Sequence, residues 1–216
     1  LVTQADVFMG PALCEALAKQ GATVLADVRD LTPVDAPAHM IQAHGHVDVL
    51  LANLAMPAPV TMAAEVGEAE WQAVFNSMVH PLQRMVKAVL PQMQARGHGK
   101  VVVMGSASAL RGMKRSSSYS AARGAQLAYV QSVGLEVAAH GIQFNAIAQN
   151  FVDNPTYYGA EVQANPRFQE RLKREVPLGR LVSAQEDAAY AAYLCSDAAA
   201  CFVGQVFPIS GGWVNR

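Results

Sequence analysis

The feature that most constrains the fold is a regular alternation, along the whole chain, of short apolar runs with longer segments of helical character. The clearest apolar run is Lys100–Gly105 (KVVVMG), which is polar only at its first residue. Unbroken apolar runs of this length are typical of parallel strands that are buried on both faces of a sheet. The chain therefore predicts a parallel sheet whose strands are joined by helices.

The apolar runs predict six strands, which are Leu1–Thr3, Thr23–Asp27, Val47–Asn53, Lys100–Gly105, Gln143–Ala148 and Gln205–Ile209. The predicted helices between them are Pro11–Gln20, Ala38–Ala43, Glu68–Arg96, Ser117–His140, Phe168–Arg174 and Ala184–Leu194. We expect Pro81 to kink the longest helix, because proline lacks the amide N–H and crowds the preceding turn. Alternation at this spacing predicts an α/β fold with a doubly wound, Rossmann-like parallel sheet in three α/β/α layers.

Size and charge limit what such a chain can bind. With 216 residues, 52% of them hydrophobic, residues 1–216 are expected to form a single domain with a sizeable core. The formal net charge is −1 and no run of Lys or Arg occurs, so we expect no nucleic-acid partner. No stretch of about 18 apolar residues occurs, so we expect no membrane span.

Cysteines and histidines give no sign of a disulfide or a metal site. Cys14, Cys195 and Cys201 have no CxxC spacing, which favours buried thiols in a reducing cytoplasm. The histidines are scattered and form no HExxH pair, so we expect no metal. The chain begins at Leu1 rather than at Met, so a short N-terminal piece is expected to be absent.

Three side chains are spaced for proton transfer. Tyr119 and Arg123 are four residues apart on a predicted helix and share one face, and Ser106 directly follows a strand. A free tyrosine, with a pKa of about 10, is a poor base at neutral pH, but a cation within about 4–6 Å favours its phenolate. Arg123 is predicted to supply that cation, Tyr119 to act as the base, and Ser106 to hold a substrate oxygen. The alternative is a packed aromatic Tyr119 beside a solvated Arg123.

The arrangement Ser106…Tyr119-Ser-Ala-Ala-Arg123 resembles the active site of short-chain dehydrogenases, with arginine in place of their YxxxK lysine. The C-terminal part resembles the same superfamily in the runs Pro177-Leu178-Gly179-Arg180, Leu194-Cys195-Ser196-Asp197, Gly204-Gln205 and Gly211-Gly212. The resemblance covers essentially the whole chain and implies the same fold.

The chain departs from dehydrogenases where they bind the dinucleotide. Their TGxxxGxG motif lets the pyrophosphate approach the backbone at a helix N-terminus, but here Gln4 replaces the first glycine and a bulky Phe8 follows. The resulting T-x4-F-x-G pattern, from Thr3 to Gly10, resembles that of halohydrin dehalogenases, which implies a halide site in place of the nicotinamide and no cofactor. Asp27 is at the position of a ribose-binding carboxylate, and we interpret it as vestigial or structural.

The same resemblance assigns the halide and substrate site to Phe8, Gln149, Asn150, Phe151, Val152 and Tyr158. The backbone amides of Phe151 and Val152 are the implied donors to the halide, because successive amides can form an anion-binding nest. Either Tyr157 or Tyr158 is implied to add to the wall, and the register between them stays open. The alternative is that the segment starting at Gln149 is a plain surface loop.

The function implied by the resemblance is that of a carbon–halogen lyase. It would close vicinal halohydrins to epoxides with release of halide, and would open epoxides with azide, cyanide or nitrite. The family also implies a homotetramer built on the helices Glu68–Arg96 and Ser117–His140. Two alternatives stay open: an NAD(P)-dependent short-chain oxidoreductase with an atypical phosphate loop, and a non-catalytic binding or scaffold protein of the same fold.

Overall fold

A parallel sheet lies at the centre of the computed structural model, which describes residues 1–215. Its strands are β1 (Val49–Ala52), β2 (Gly99–Ser106), β3 (Ile142–Gln149) and β4 (Val206–Ile209). They lie in the order β1-β2-β3-β4, and every pair is parallel. Val2 continues the sheet beyond β1 by bridging to Leu51 on one side and to Ala26 on the other.

Helices connect the strands and cover the sheet. They are α1 (Gly10–Lys19), α2 (Ala36–His44), α3 (Glu68–Met78), α4 (His80–Arg96), α5 (Ser108–Arg111), α6 (Ser117–Val137), α7 (Ala160–Ala164), α8 (Pro166–Glu175) and α9 (Ala184–Leu194). Short 3-10 turns occur at Ala63–Glu65, Ala138–His140 and Asp197–Ala199. The α9 helix begins with a capping box between Ser183 and Glu186, as the S-x-x-E pattern predicts.

The sheet separates two apolar cores, because successive side chains of a strand point to opposite faces. Val101 and Val103 of β2 belong to the core shared with α2, α4 and α6, whereas Val102 and Met104 belong to the core shared with α1 and α9. All eight residues of β2 are buried. The predicted doubly wound α/β fold is therefore confirmed.

One predicted helix and two predicted strands differ in the structure. The predicted kinked helix Glu68–Arg96 is wrong, because two helices, α3 and α4, meet at Val79. Pro81 lies in the first turn of α4, where its missing N–H removes no helical hydrogen bond. The predicted strands Leu1–Thr3 and Thr23–Asp27 contribute only isolated bridges, because a single residue of the first, Val2, pairs with Leu51 and with Ala26.

The carboxyl ends of the strands bring four polar residues together, which are Thr3, Asn53, Ser106 and Gln149. Ser106 and Gln149 are register partners at the ends of β2 and β3. Asn53 follows β1, and its carbonyl oxygen accepts a hydrogen bond from the Thr3 hydroxyl at 3.1 Å. This edge is where open α/β sheets bind their ligands.

Within residues 1–215, no helix combines the length and the apolar character needed to cross a membrane. The same part of the chain has no cluster of three or more His, Cys, Asp or Glu side chains that could hold a metal ion.

Candidate active site

A cavity of about 180 Å³ opens at this edge of the sheet. Seven of the nine predicted site residues line it, namely Phe8, Ser106, Tyr119, Gln149, Asn150, Val152 and Tyr158. The other two, Arg123 and Phe151, lie outside the lining and are buried. Tyr157, which the sequence left as an alternative to Tyr158, also lines the cavity.

Two tyrosines meet in the cavity wall. The hydroxyl of Tyr119 donates to the hydroxyl oxygen of Tyr157 over 3.1 Å, and the hydroxyl of Tyr157 donates to the carbonyl oxygen of Met56 over 2.7 Å. The Tyr157 oxygen also accepts from Nη2 of Arg123 at 3.4 Å. The guanidinium carbon of Arg123 is 5.1 Å from the centre of the Tyr119 ring. Tyr157 therefore connects the predicted base to the predicted cation.

Arg123 is a fixed, buried cation. Its side chain is 0% exposed, so the alternative of a solvated Arg123 is wrong. One nitrogen, Nη1, donates to the carbonyl oxygens of Leu54 and Met104 and to Oε1 of Gln126, at 2.9, 3.0 and 3.0 Å. Burial acts to lower the pKa of Arg123, but the adjacent phenols of Tyr119 and Tyr157 outweigh it and raise the pKa. The guanidinium therefore keeps its charge.

Ser106 is held at the last position of β2. Its hydroxyl oxygen is 2.9 Å from the hydroxyl oxygen of Ser108 and accepts from the Ser108 amide at 3.2 Å. Ser108 is the first residue of α5, so the strand and the helix that follows it fix the Ser106 hydroxyl from both sides. A hydroxyl placed in this way can orient a substrate oxygen.

Asn150 presents a donor of defined orientation. Its Oδ1 accepts from the Phe151 amide at 2.9 Å and from the Tyr158 hydroxyl at 2.8 Å. Because both partners are donors, the amide group can only have its oxygen on that side. Its Nδ2 is buried and has no hydrogen-bond partner among residues 1–215. An anion is the kind of ligand that such a donor can bind.

Phe151 is placed differently from the other predicted residues. Its amide already donates to Asn150, and its ring packs against the rings of Tyr158 and Trp213, with centres 5.9 and 6.0 Å apart. Its φ of 53° lies in the left-handed region, which lets the chain turn between Asn150 and Val152. Phe151 therefore shapes the loop and does not line the cavity.

Tyr157 is the functional candidate that sequence reasoning left open. Burial raises the pKa of Tyr158 to about 12 and raises the pKa of Tyr157 well above its ordinary value, so both keep their protons near neutral pH. Tyr158 uses its proton to hold Asn150, whereas Tyr157 is hydrogen-bonded to Tyr119. The sequence shows two adjacent tyrosines. It does not indicate which of them forms the hydrogen bond with Tyr119 and which one holds Asn150.

The turn from Thr3 to Gly10, which would bind a dinucleotide in this architecture, is closed by its own hydrogen bonds. Oε1 of Gln4 accepts from the Ala55 amide at 2.8 Å, and Nε2 donates to the Ala55 carbonyl at 3.2 Å. Nδ2 of Asn53 donates to the carbonyl oxygens of Gln4 and Val7 at 3.0 and 3.2 Å. The Gln4 side chain thus fastens this turn to the segment that follows β1.

Phe8 adds a second obstacle to a dinucleotide. Its side chain is buried, lines the cavity and meets the Tyr157 ring edge-on, with ring centres 5.4 Å apart. Dinucleotide-binding turns use glycines so that the pyrophosphate can approach the backbone closely. With Gln4 fastened to Ala55 and Phe8 in the wall, these residues do not fit a nicotinamide dinucleotide.

Asp27 already has protein partners at the position where a ribose would bind. Its carboxylate accepts from Nε of Arg29 at 2.9 and 3.0 Å and from the Arg29 amide at 3.0 Å, and it lies 2.9 Å from Nε2 of His44. Burial acts to raise the pKa of Asp27, but these hydrogen bonds outweigh it and lower the pKa. The geometry is that of a structural carboxylate.

Comparisons with known proteins agree on the family and differ on the chemistry of individual members. The family model described as Enoyl-(Acyl carrier protein) reductase matches residues 5–214. A curated relative, 2-keto-3-deoxy-L-fuconate dehydrogenase of Xanthomonas campestris pv. campestris, is 30% identical over 94% of this chain and 69% of its own length.

Solved structures match nearly the whole chain. A protein described as a dehalogenation enzyme matches with a TM-score of 0.92 and 31% identity, covering 99% of this chain and 96% of its own. The halohydrin dehalogenase HheC, solved with ethyl (2S)-oxiran-2-ylacetate, has a TM-score of 0.89 and covers 100% and 97% of the two chains. Its 24% identity shows a shared fold only. On the family match and the fold together, the chain belongs to the short-chain dehydrogenase/reductase superfamily.

Proposed function

We propose that this protein closes vicinal halohydrins to epoxides with release of halide, without a nicotinamide cofactor, and opens epoxides with small anions in the reverse direction. The observation that supports this most is the position of Phe8, which lies in the wall of the same cavity as Ser106 and Tyr119. The similarity to a dehalogenation enzyme at 31% identity adds to it.

The proposed reaction begins at Tyr119. Its phenolate takes the proton of the substrate hydroxyl, while Ser106 donates a hydrogen bond to the substrate oxygen. The resulting alkoxide attacks the neighbouring carbon from the side opposite the halogen, so the C–O bond forms as the C–halogen bond breaks. The halide leaves with the bonding electron pair, and the Tyr119 proton passes to solvent. Azide, cyanide or nitrite reverses these steps on an epoxide.

Arg123 and Tyr157 support the base. A buried guanidinium 5.1 Å from the Tyr119 ring centre favours negative charge on the phenol. Tyr157 keeps its own proton and can turn that proton from the Met56 carbonyl to the Tyr119 oxygen once Tyr119 is ionised. Charge that develops on Tyr119 is thereby met by a neutral donor in direct contact and by a cation behind it.

The departing halide is assigned to the loop that follows β3. Nδ2 of Asn150, which has no partner among residues 1–215, and the amide of Val152 are the proposed donors. The ring edges of Phe8 and Tyr158, which carry partial positive charge, complete the anion site. Donors positioned in advance stabilise charge as it develops in the transition state.

The test is halide release without added cofactor. The full chain is incubated with 1,3-dichloro-2-propanol, and acid and chloride release are followed together. We expect Tyr119→Phe to lower the rate to background, because the base is removed. The matched control is Tyr129→Phe, on the same helix but packed against Phe144, which is expected to keep the wild-type rate. Undiminished release from Tyr119→Phe would contradict the mechanism.

A nicotinamide-dependent oxidoreductase is the second candidate, and the dehydrogenase relative at 30% identity favours it. The two candidates predict opposite results when NADH or NADPH is titrated into the protein and binding is followed by fluorescence or thermal shift. Micromolar binding would support the oxidoreductase. A non-catalytic member of the fold predicts neither binding of NAD(P)H nor halide release at any pH.

A further inference from the structure

A buried carboxyl group that the proposed reaction does not use lies behind the cavity wall. Asp187, on α9, is 0% exposed, and its carboxyl group has one hydrogen-bond partner within residues 1–215. That partner is Gln149, whose Nε2 donates to Oδ2 of Asp187 over 2.5 Å. Gln149 itself lines the cavity. Only the Gln149 side chain therefore connects this carboxyl group to the wall of the proposed anion site.

The two remaining oxygens of this pair are complementary. Oε1 of Gln149 and Oδ1 of Asp187 are both buried, and neither has a hydrogen-bond partner in the described part of the chain. When Asp187 is ionised both atoms are acceptors, so they cannot pair with each other. A proton on the carboxyl group turns it into a donor as well. The acid and the amide can then form two hydrogen bonds, which leave no buried oxygen unpaired.

Among residues 1–215, no cationic side chain forms an ion pair with Asp187. The titratable side chains on the elements packed against α9 are Cys14, Glu15 and Lys19 of α1 and Asp197 of the 3-10 turn, and α9 itself adds Glu186, Tyr190 and Tyr193. Lys19 pairs with Glu15 at 2.6 Å, and Glu186 pairs with Arg180 at 2.7 Å. None of these groups forms a hydrogen bond or ion pair with the Asp187 carboxyl group.

We infer that Asp187 is held as a neutral carboxylic acid, paired through two hydrogen bonds with Gln149, and that this pairing keeps negative charge away from the anion site. Asp187 acts through Gln149 and is a positioning residue. The inference rests on the proposed function in one respect, the location of the anion. Burial raises the pKa of Asp187 to about 7, opposed by the hydrogen bond from Gln149, which agrees with the geometry.

A consequence is that anion affinity depends on pH. Below the pKa of Asp187 its carboxyl group adds no charge behind the cavity wall. Above it, a carboxylate shielded from water lies one side chain from the bound anion, and like charges in such surroundings repel strongly. By linkage, an anion that binds better to the neutral form must also raise the pKa of Asp187 when it binds.

The test measures bromide binding by titration calorimetry between about pH 5.5 and about pH 8.5, in the full chain and in Asp187→Asn. In the wild type we expect affinity to fall about tenfold, which corresponds to a rise of about one unit in the Asp187 pKa on binding. Asparagine keeps a side chain that can pair with the amide but cannot ionise, so the bromide affinity of Asp187→Asn is expected to fall less than that of the wild type over the same pH range. Equal pH dependence in both proteins overturns the inference.

The matched control is Asp6→Asn, which removes the same charge from an exposed position in the turn that also contains Phe8. We expect this variant to keep the wild-type pH dependence. If its affinity falls as little as that of Asp187→Asn, loss of charge in general is the cause and the inference is overturned.

A second measurement separates this inference from the proposed function. Infrared difference spectra between acid and alkaline samples are expected to show the carbonyl stretch of a protonated carboxylic acid in the wild type and not in Asp187→Asn. Absence of that band from the wild type overturns the acid–amide pair, whatever the protein catalyses. A clear band without bromide binding or halide release leaves the pair standing and overturns its role at an anion site.

Should Asp187→Asn fail to fold, Gln149→Met answers the same question. This variant removes the amide and keeps an unbranched side chain of similar length, so the acid loses its partner. The carbonyl band is then expected to move toward the frequency of an acid without hydrogen bonds. A band that does not move overturns the pairing.

Discussion

The hydroxyl of Tyr157 has three hydrogen-bond partners, and each has a different role in the proposed reaction. It accepts from Tyr119 and Arg123 and donates to the Met56 carbonyl. Tyr157 keeps its proton, so it can donate a hydrogen bond to the Tyr119 oxygen when Tyr119 is ionised as proposed. This hydrogen bond stabilises the Tyr119 phenolate. Tyr157 thereby transmits part of the effect of the buried Arg123 cation to Tyr119.

Replacing Tyr157 by Phe should weaken the base without removing it. We expect the halide-release rate near neutral pH to fall by about tenfold to a hundredfold, the value of a hydrogen bond to a charged group at about 1.5–3 kcal/mol. The rate should recover at alkaline pH, because the Tyr119 phenolate then forms without the missing donor. The measurement is the initial rate across pH, with the exposed Tyr193→Phe as control. An unshifted pH profile in Tyr157→Phe would argue for a purely structural role.

Local spacing predicts contacts only between residues that are close together in sequence. Tyr119 and Arg123 are one helical turn apart, so local spacing alone indicates a shared face. Gln149 and Asp187 are 38 positions apart, and their pairing depends on how α9 packs against the sheet. No local pattern contains that contact. The burial of Arg123 could not be predicted from local spacing either, because the carbonyl groups that it contacts belong to Leu54 and Met104, which are distant in sequence.

At the level of elements, the turn from Thr3 to Gly10 differs from the glycine-rich turn by which members of this architecture bind dinucleotides. Gln4 and Phe8 have φ of 45° and 53°, in the left-handed region that favours glycine. A Cβ on Gly10 would lie 2.3 Å from the Gln4 carbonyl oxygen, so that glycine is required by close packing. The hydrogen bonds from Gln4 to Ala55 offset the backbone strain at Gln4.

Two substitutions at Gln4 separate these effects. Gln4→Ala loses both hydrogen bonds and keeps the backbone strain, whereas Gln4→Gly loses the bonds but relieves the strain. We expect Gln4→Ala to lower the free energy of unfolding by about 1–3 kcal/mol and Gln4→Gly to be less destabilising by about 1 kcal/mol. Urea denaturation of the two variants and the wild type measures both differences. Equal stability of the two variants would exclude strain at this position.

Element boundaries followed from the sequence where hydrophobic burial alone decides them. The run Lys100–Gly105 became β2, because both faces of that strand are covered. Pro81 was located correctly as an interruption, but its effect was misjudged, because a proline in the first turn of a helix separates two helices more readily than it kinks one. The predicted length of the strand Thr23–Asp27 was wrong, because strand pairing needs a neighbouring strand and only Val2 pairs with this segment.

For the molecule as a whole, the burial of the Asp187 carboxyl group links stability to pH. Its pKa of about 7 in the folded protein is above its ordinary value of 3.8, so folding favours the neutral acid. The stabilisation is therefore fully present below about pH 4 and is lost as the pH rises through about 7. At about 1.4 kcal/mol per pKa unit, the loss is of the order of a few kcal/mol.

The same reasoning predicts the behaviour of Asp187→Asn. Its free energy of unfolding, measured by urea denaturation at a series of pH values, should lack the fall that the wild type shows between about pH 4 and about pH 7. Asp6→Asn, which alters an exposed carboxylate, should keep that fall. Parallel curves for the wild type and Asp187→Asn would mean that Asp187 ionises without cost in the folded protein.

The overall architecture was the most predictable level, because alternating strands and helices fix a doubly wound sheet whatever the details of each turn. Ser106 and Gln149 lie side by side for the same reason, because the parallel strands β2 and β3 end at the same edge of the sheet. The sheet has an apolar core on each side because β2 has apolar side chains on both of its faces, Val101 and Val103 on one and Val102 and Met104 on the other.

The cavity at the carboxyl edge of the sheet has a further consequence, for the size of the molecules that it can accept. At about 180 Å³ it is smaller than the roughly 300–1,000 Å³ of pockets that enclose drug-sized ligands. Phe8 and Tyr157 pack edge-on against each other and form part of its wall. For the proposed reaction this volume favours short, unbranched substrates of a few carbon atoms, and the two rings take up space that a longer substrate would need.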